Sequence, residues 1–496
     1  MKYYFKILLT VSGLLLSINC FAQLSGTKSI PGDYSTVALA VADLNSQGVG
    51  TGGVIFNVAA GHTETVSNLV INILANVPTS SNTVVFRKSG AGVNPLITAA
   101  PGSSATADGI IKISGTDYIT FDAIDLVDPS SNTGNAMMEW GYALMRETTR
   151  NGTQHATIKN CTVTLQKINT ASIGIYIANR DTNGTVVVPE DADGQNSYNM
   201  IYGNTVTNVY KGIVAISAST TRDLDNRIGV AGESANTITD WGGSTVSAEG
   251  IRCEGQTNVK IVNNVVNGGT NTSGSAATVG IIATLFGSLP SAGNYEIAYN
   301  TVTIIASSSS QAHYGIRALA NGDTVRIHHN TVENCNSGQT TNAFYGISHD
   351  PVGTVNAAYI HNNIIRNNSH AGTGTTQLLY TAGSGTFNNL LIRANLLYGN
   401  QKTGISGTLN GISVSNASLE CDSNQIYNNS IPSSSGSSSS SMNGYVSSGS
   451  PVLENVHNNL IYNQSVGGFG TSTSSIMTGI RSNSASSTVK RIYENT

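Results

Sequence analysis

Ile327-His328-His329-Asn330-Thr331-Val332, Ile360-His361-Asn362-Asn363-Ile364-Ile365 and Ile392-Arg393-Ala394-Asn395-Leu396-Leu397 are three copies of one phrase. An apolar residue is followed by two variable residues, then Asn, one variable residue and a second apolar residue. The same phrase reads Ile201–Asn204–Val206, Ile261–Asn264–Val266, Ile297–Asn300–Val302, Cys421–Asn424–Ile426 and Val456–Asn459–Ile461. Asn236 with Ile238 lacks the leading apolar residue, Ile158–Cys161–Val163 and Ile119–Asp122–Ile124 change the centre, and Ile492–Asn495 opens a further copy. Successive centres from Asp122 to Asn495 lie 39, 43, 32, 28, 36, 30, 33, 32, 29, 35 and 36 residues apart. A self-similar unit at that period marks a solenoid, in which each unit buries its apolar face only against its neighbours.

The unit has internal grammar. The two apolar residues are five apart, so on a straight strand they would point to opposite faces. A tight bend between them restores a common direction, and Asn tolerates the left-handed backbone that such a bend needs. Stacked coils would bring successive Asn amides about 4.8 Å apart, close enough to bond up the stack. Most units are preceded by a glycine and an apolar residue, as in Gly250-Ile251, Gly280-Ile281, Gly315-Ile316, Gly346-Ile347, Gly411-Ile412, Gly444-Tyr445 and Gly479-Ile480. Each coil therefore holds one β segment at this marker and two around the Asn, with Ser/Thr/Gly/Asn-rich turns between. Replacing Asn363 by Leu is expected to be costly, and replacing Asn367, read as lying outside the ladder, is not.

This pattern resembles the right-handed parallel β-helix of the pectin-lyase-like superfamily, and the phrasing is similar to that of exported β-helix proteins of Bacteroidetes-type bacteria. The resemblance implies an all-β solenoid with an Asn ladder and a short N-terminal capping helix. Residues 33–45 fit that helix, with Tyr34, Val37, Val41 and Leu44 on one face. First coils are expected at 53–130 and Asn-ladder coils at 156–496, the last stopping mid-unit at Thr496. That stop reads as truncation, with further coils, a cap and a C-terminal sorting domain expected beyond it.

Lys2, Lys6 and the apolar run from Ile7 to Ile18 read as a leader at 1–22, cleaved before Gln23 and followed by the 23–496 solenoid. The protein is thus expected to be secreted or held at the outer cell surface. Lipidation of Cys20 is an alternative that the preceding Asn19 disfavours. A net charge of −4 over 496 residues leaves no nucleic-acid footprint, and no later stretch is apolar enough to be a membrane span. Cys161, Cys253, Cys335 and Cys421 form no paired motif for zinc or redox chemistry.

The superfamily holds lyases, hydrolases, epimerases, tail spikes and adhesins, so fold does not decide function. Only Glu420, Asp422, Glu454 and Glu494 are acidic after Asp350, which is meagre for a two-carboxylate site. In the first half Asp223 and Asp225 would share one strand face as a catalytic pair, or form a self-neutralising loop beside Arg222 and Arg227. Asp191, Asp193 and Asn196 loosely resemble a Ca²⁺ loop but lack its third acid and closing Glu, so they read as an acidic surface turn or a Ca²⁺ site, and no cofactor is otherwise expected. His328 and His361 should stack, with His329 beside them, as a plain column or a transition-metal site. Tyr398, Tyr427 and Tyr462 should form an aromatic column, a sugar platform if outward and core if inward. The balance favours a rigid binding or display scaffold, adhesin-like and glycan-binding, whose partner is a polysaccharide or cell-surface glycan. The alternative is a polysaccharide lyase or glycoside hydrolase with its site in the first half or in a missing region.

Overall fold

The computed structural model describes residues 23–496 apart from 219–220, 244–245, 270–276, 285–292, 307–309, 320, 339–340, 382–384, 405–406, 416, 433–439, 468–474 and 486. The leader at 1–22 and most of the serine-rich stretch after Pro432 fall outside them. The chain coils into a parallel β-solenoid of about 12 turns. Strands that precede each ladder position stack into one sheet, from Leu24–Ile30 to Val489–Tyr493. Strands carrying the glycine marker form a second, from Leu69–Ile71 to Ile476–Ser482, and strands after the ladder form a third face. We call these the entry, glycine and exit sheets. In the C-terminal half the exit face turns once more into short strands such as Ser369–His370 and Gln401–Lys402.

The phrase explains the register. Ile201, Ile228, Ile261, Ile297, Ile327, Ile360, Ile392, Cys421 and Val456 are neighbours up the entry sheet. Ile228 supplies the leading residue that Asn236 lacks, from eight positions upstream, with the extra residues displaced outward. One continuous hydrophobic cluster runs from Leu24 to Val456 and contains the stacked rings of Phe56, Phe86 and Phe121. All four described cysteines are free and buried in the fold, and burial pushes the Cys161, Cys253 and Cys335 thiols up to about 12.

From Asn204 to Asn495 each ladder Nδ2 donates to the Oδ1 one coil on, at 2.9–3.0 Å, and Asn236 takes its place as a full rung. The bend is made differently from the expectation. The left-handed residue is the one before the ladder Asn: Gly203, Asn263, Tyr299, His329, Asn362, Ala394, Ser423, Asn458 and Glu494 all have φ between 52° and 69°. The preceding residue turns the chain, which leaves the ladder Asn free to aim its amide inward. A second, shorter ladder follows five residues later, Asn368 to Asn400 to Asn429 at 2.8 and 2.9 Å. Asn367 is its left-handed turn residue at φ 55°, so it is no neutral control.

The capping helix α1 spans Val37–Gln47, later than the expected 33–45. Asp33 is occupied by the amide and hydroxyl of Ser29, so the start passes to Thr36, whose hydroxyl accepts from Leu39 N. Glu64 from the next coil accepts from the amides of Val37 and Ala38, where a carboxylate also suits the helix dipole. Val37, Val41 and Leu44 face the core as expected, joined by Ala40. The strand Leu24–Ile30, missed in the sequence, pairs in parallel with Val49–Ala59 across this helix.

The glycine marker exists for close approach. A Cβ on Gly315 would lie 2.5 Å from Val332 Cγ1 and 2.6 Å from Gly346 O. The residue two after each ladder Asn presses into that space from across the coil.

Three outcomes test this account. Asn363→Leu removes the acceptor of both the backbone N–H and the Nδ2 of Asn330 and the side-chain donor to Ile327 O, leaves Asn395 Oδ1 only the backbone N–H of residue 363, and should cost roughly 3 kcal/mol in denaturant unfolding. Gln425→Leu, exposed on the exit sheet, should change stability by less than about 0.5 kcal/mol, and an equal loss in both would refute the ladder's role. Gly315→Ala should cost about 1–3 kcal/mol, while Gly479→Ala, with nothing within 4 Å of its Cβ, should not.

The third outcome concerns acid. Burial pulls His313 and His349 down to about 4 and His370 to about 3. The folded state holds these rings neutral while the unfolded chain protonates them near its ordinary value of 6.5. Their contribution is therefore complete above pH 6.5 and lost as pH falls from there towards 4. Melting temperature measured from pH 7 to pH 4 should drop, and His370→Gln should flatten the drop.

Candidate functional site

The outer face of the entry sheet carries the most varied chemistry. Alternation puts Lys260, Glu296, Arg326, Tyr359, Leu391 and Glu420 in one outward column, each in register with the next. Five coil intervals make this column about 24 Å long. Shallow grooves lie along it. One of about 240 Å³ is lined by Asp225, Lys260, Glu296 and Arg326, and one of about 180 Å³ by Arg227, Lys260, Glu296 and Tyr299. The largest of the three, about 390 Å³, is lined by Tyr359, Asn389, Leu391, Arg393, Glu420 and Leu453.

At the end of that groove two carboxylates, an imidazole and a guanidinium converge. Glu420 and Asp422 flank the inward Cys421, so both point out. His457 is the register partner of Asp422 one coil on, and Arg393 its partner one coil back. One oxygen of each acid and one His457 nitrogen lie within 4.8 Å of one another. Arg393 Nε donates to Asp422 at 2.8 and 3.0 Å and its Nη2 to Glu420 at 3.1 Å. Counting acids in the second half missed this cluster. Aligning the repeats reveals it, because Asp422 and His457 both stand two residues before a ladder Asn. Upstream, Glu296 is held below the usual carboxylate range: burial raises it, but Lys260 at 2.9 Å and His328 outweigh that.

The glycine sheet offers a smaller aromatic patch. Tyr314 and Tyr345 stack at 4.7 Å, Tyr380 tilts 59° away from Tyr345, and the Arg317 guanidinium lies 4.4 Å over Tyr314. Asp350 is tied to Arg317 at 3.0 Å and to the Ser348 hydroxyl at 2.8 Å.

Asp223 and Asp225 do not share a face. Asp223 is fully buried, accepting from Arg146 Nη2 at 2.6 Å and from Asn196 N at 2.9 Å. Asp225 has φ 53°, which turns the chain and puts it at the rim of an outer groove. The segment is a corner, not a strand, so the two-residue spacing carries no common direction.

Asp191, Asp193 and Asn196 are likewise divided. Asp191 is half-buried and accepts from Gly194 N within its own turn, beside a Glu190–Arg150 ion pair. Asn196 is buried, its Oδ1 accepting from Thr153 N and its Nδ2 donating to Ala178 O. It serves the coil interior.

Tyr398, Tyr427 and Tyr462 point outward in an exit-sheet column that continues Glu333 and Arg366. Their rings stack at 4.8 and 5.0 Å, within 7° of parallel. Each ring thus covers its neighbour's face, and the column presents edges and hydroxyls outward. His328 and His361 stack as expected, at 4.9 Å and 2°.

No family model matches the chain, and no curated protein matches it. Among solved structures, the lacto-N-biosidase of family GH136 from Eubacterium ramulus is 12% identical with a TM-score of 0.41, covering 70% of this chain and 64% of that one. The catalytic domain of a GH87 alpha-1,3-glucanase is 12% identical at TM-score 0.39, covering 92% and 67%. PfbA, a surface adhesin of Streptococcus pneumoniae, is 14% identical at 0.37, covering 72% and 90%. This chain therefore spans less than two thirds of the first of these proteins. Strand registers and amide rungs within the chain itself make it a parallel β-helix.

Proposed function

We propose that this protein is a secreted or surface-displayed rod that binds an extended neutral glycan along the outer face of its entry sheet. The observation that carries this is the groove at Tyr359, Leu391, Arg393 and Glu420, which combines an aromatic and an apolar surface with paired hydrogen-bonding groups. Apolar sugar faces suit the former and hydroxyls the latter. Along the face four cations (Arg227, Lys260, Arg326, Arg393) meet four carboxylates (Asp225, Glu296, Glu420, Asp422). Such a balanced surface has no net field to gather a polyanion.

Binding is favoured over cleavage because Arg393 holds both Glu420 and Asp422. Hydrolysis needs one carboxyl free to give a proton and another free to attack or activate water. Carboxyls that are held high belong elsewhere: burial lifts Asp117 to about 6 and raises Glu139, and both accept hydrogen bonds from backbone amides. The enzymatic reading retains one specific support, the close approach of Glu420, Asp422 and His457.

Affinity electrophoresis against neutral and acidic polysaccharides, with and without Ca²⁺, separates these readings. A neutral polysaccharide should retard the protein, Tyr359→Ala should weaken retardation about 10-fold, and Tyr427→Ala should leave it unchanged. Retardation by acidic polysaccharides alone, abolished by salt, would refute the proposal. Release of reducing or unsaturated ends, lost in Glu420→Gln, would establish the enzyme instead.

A further inference from the structure

A second group of side chains lies on the same sheet, at the turn ahead of the ladder, and the proposed glycan site makes no use of its histidines. His328 Nδ1 is 2.9 Å from His329 Nδ1, and His328 Nε2 is 3.3 Å from Glu296 Oε1. A carboxylate only accepts, so His328 carries its proton on Nε2 and presents a lone pair at Nδ1. The hydrogen shared between the two rings then sits on His329 Nδ1. Both rings are braced, His329 on Tyr299 at 4.8 Å and His328 on His361 at 4.9 Å.

Two imidazole nitrogens bound to one first-row divalent ion at about 2.05 Å stand about 2.9 Å apart at a right angle and about 3.3 Å apart at the tetrahedral angle. The observed spacing falls in that range, and His329 is exposed, so a small rotation makes the two lone pairs converge. A carboxylate on the far nitrogen is also the outer partner that metal-bound histidines use to fix tautomer and orientation. We propose that His328 Nδ1 and His329 Nδ1 chelate a divalent transition-metal ion, with Glu296 orienting His328. On binding, the ion replaces the shared hydrogen, and His329 moves its proton from Nδ1 to Nε2, so no net proton is lost. Nitrogen donors select Cu²⁺, Ni²⁺ or Zn²⁺ over Ca²⁺. Glu420, Asp422 and His457 are a weaker site because Arg393 already occupies both acids.

The repeat supplies fold-neutral variants. Asn occupies the His329 position at 263, 362 and 458 with the same left-handed backbone, and Ala298 precedes His328 in its column. Titration calorimetry with CuCl₂ or NiCl₂ alone should give one site per chain. His328→Ala and His329→Asn should each abolish it, Glu296→Gln should weaken it about 10-fold, and His457→Asn should leave it intact. Cu²⁺ paramagnetic resonance should show coupling to two imidazole nitrogens, reduced to one or none in His329→Asn. No binding at millimolar metal, unchanged binding in His329→Asn, or loss in His457→Asn would overturn the proposal.

Discussion

The amide rung between consecutive ladder asparagines is the constraint from which the rest of the molecule follows. Each rung from Asn204 to Asn459 is buried, and a buried amide left unmatched costs more than a matched one gains. Every coil must therefore return its Asn to the same place, whatever its length. Between 28 and 36 residues separate successive ladder asparagines, and the surplus is expelled as loops at the turns. Inward residues repeat because the rungs hold them in register. Outward residues are free to vary, and chemistry is confined to them.

The fold was legible because the rung leaves a trace at a fixed place in the phrase, and the detail was lost wherever one residue serves two geometries. Asn appears at both the rung and the turn before it, as in Asn362-Asn363 and Asn458-Asn459, so the sequence does not tell which of the pair turns the chain. Tyr299, His329, Ala394 and Ser423 settle it, since none could form an amide rung. The second ladder was invisible for a related reason. Its three members, Asn368, Asn400 and Asn429, each stand three residues after the second apolar residue of a phrase, and only Asn429, with Ile431 beyond it, has the closing apolar residue; His370 and Lys402 break the frame in the other two. Helix α1 moved because a sequence cannot show that Asp33 is spent on Ser29 or that Glu64 arrives from the following coil.

Site residues were legible to the extent that they could be assigned to columns. Tyr398, Tyr427 and Tyr462 share one phase of the phrase and do stack; His328 and His361 share another and do likewise. Asp223, Asp225, Asp191, Asp193 and Asn196 lie between phrases, where no period applies and local spacing misled. Buried polar groups there were equally hidden. Lys402 is fully buried, donates to Gly372 O, and is pulled by burial down to about 8, yet nothing in its neighbourhood announces an interior position.

A consequence for recognition follows from the lattice itself. Like rings repeated at about 4.8 Å spend their faces on one another, which stabilises the rod but withdraws the surface on which a sugar stacks. An aromatic residue that serves a ligand must then be one that does not repeat. Tyr359 meets this condition: its column neighbours are Arg326 and Leu391, and the Arg326 guanidinium 5.6 Å from its ring is the nearest thing to a stack partner. By the same logic the charged cluster at Arg393, Asp422 and His457 arises where the column that stacks His328 on His361 changes residue type at every coil. On a solenoid, departures from repetition on the outer face mark the places where the molecule does something other than hold itself together.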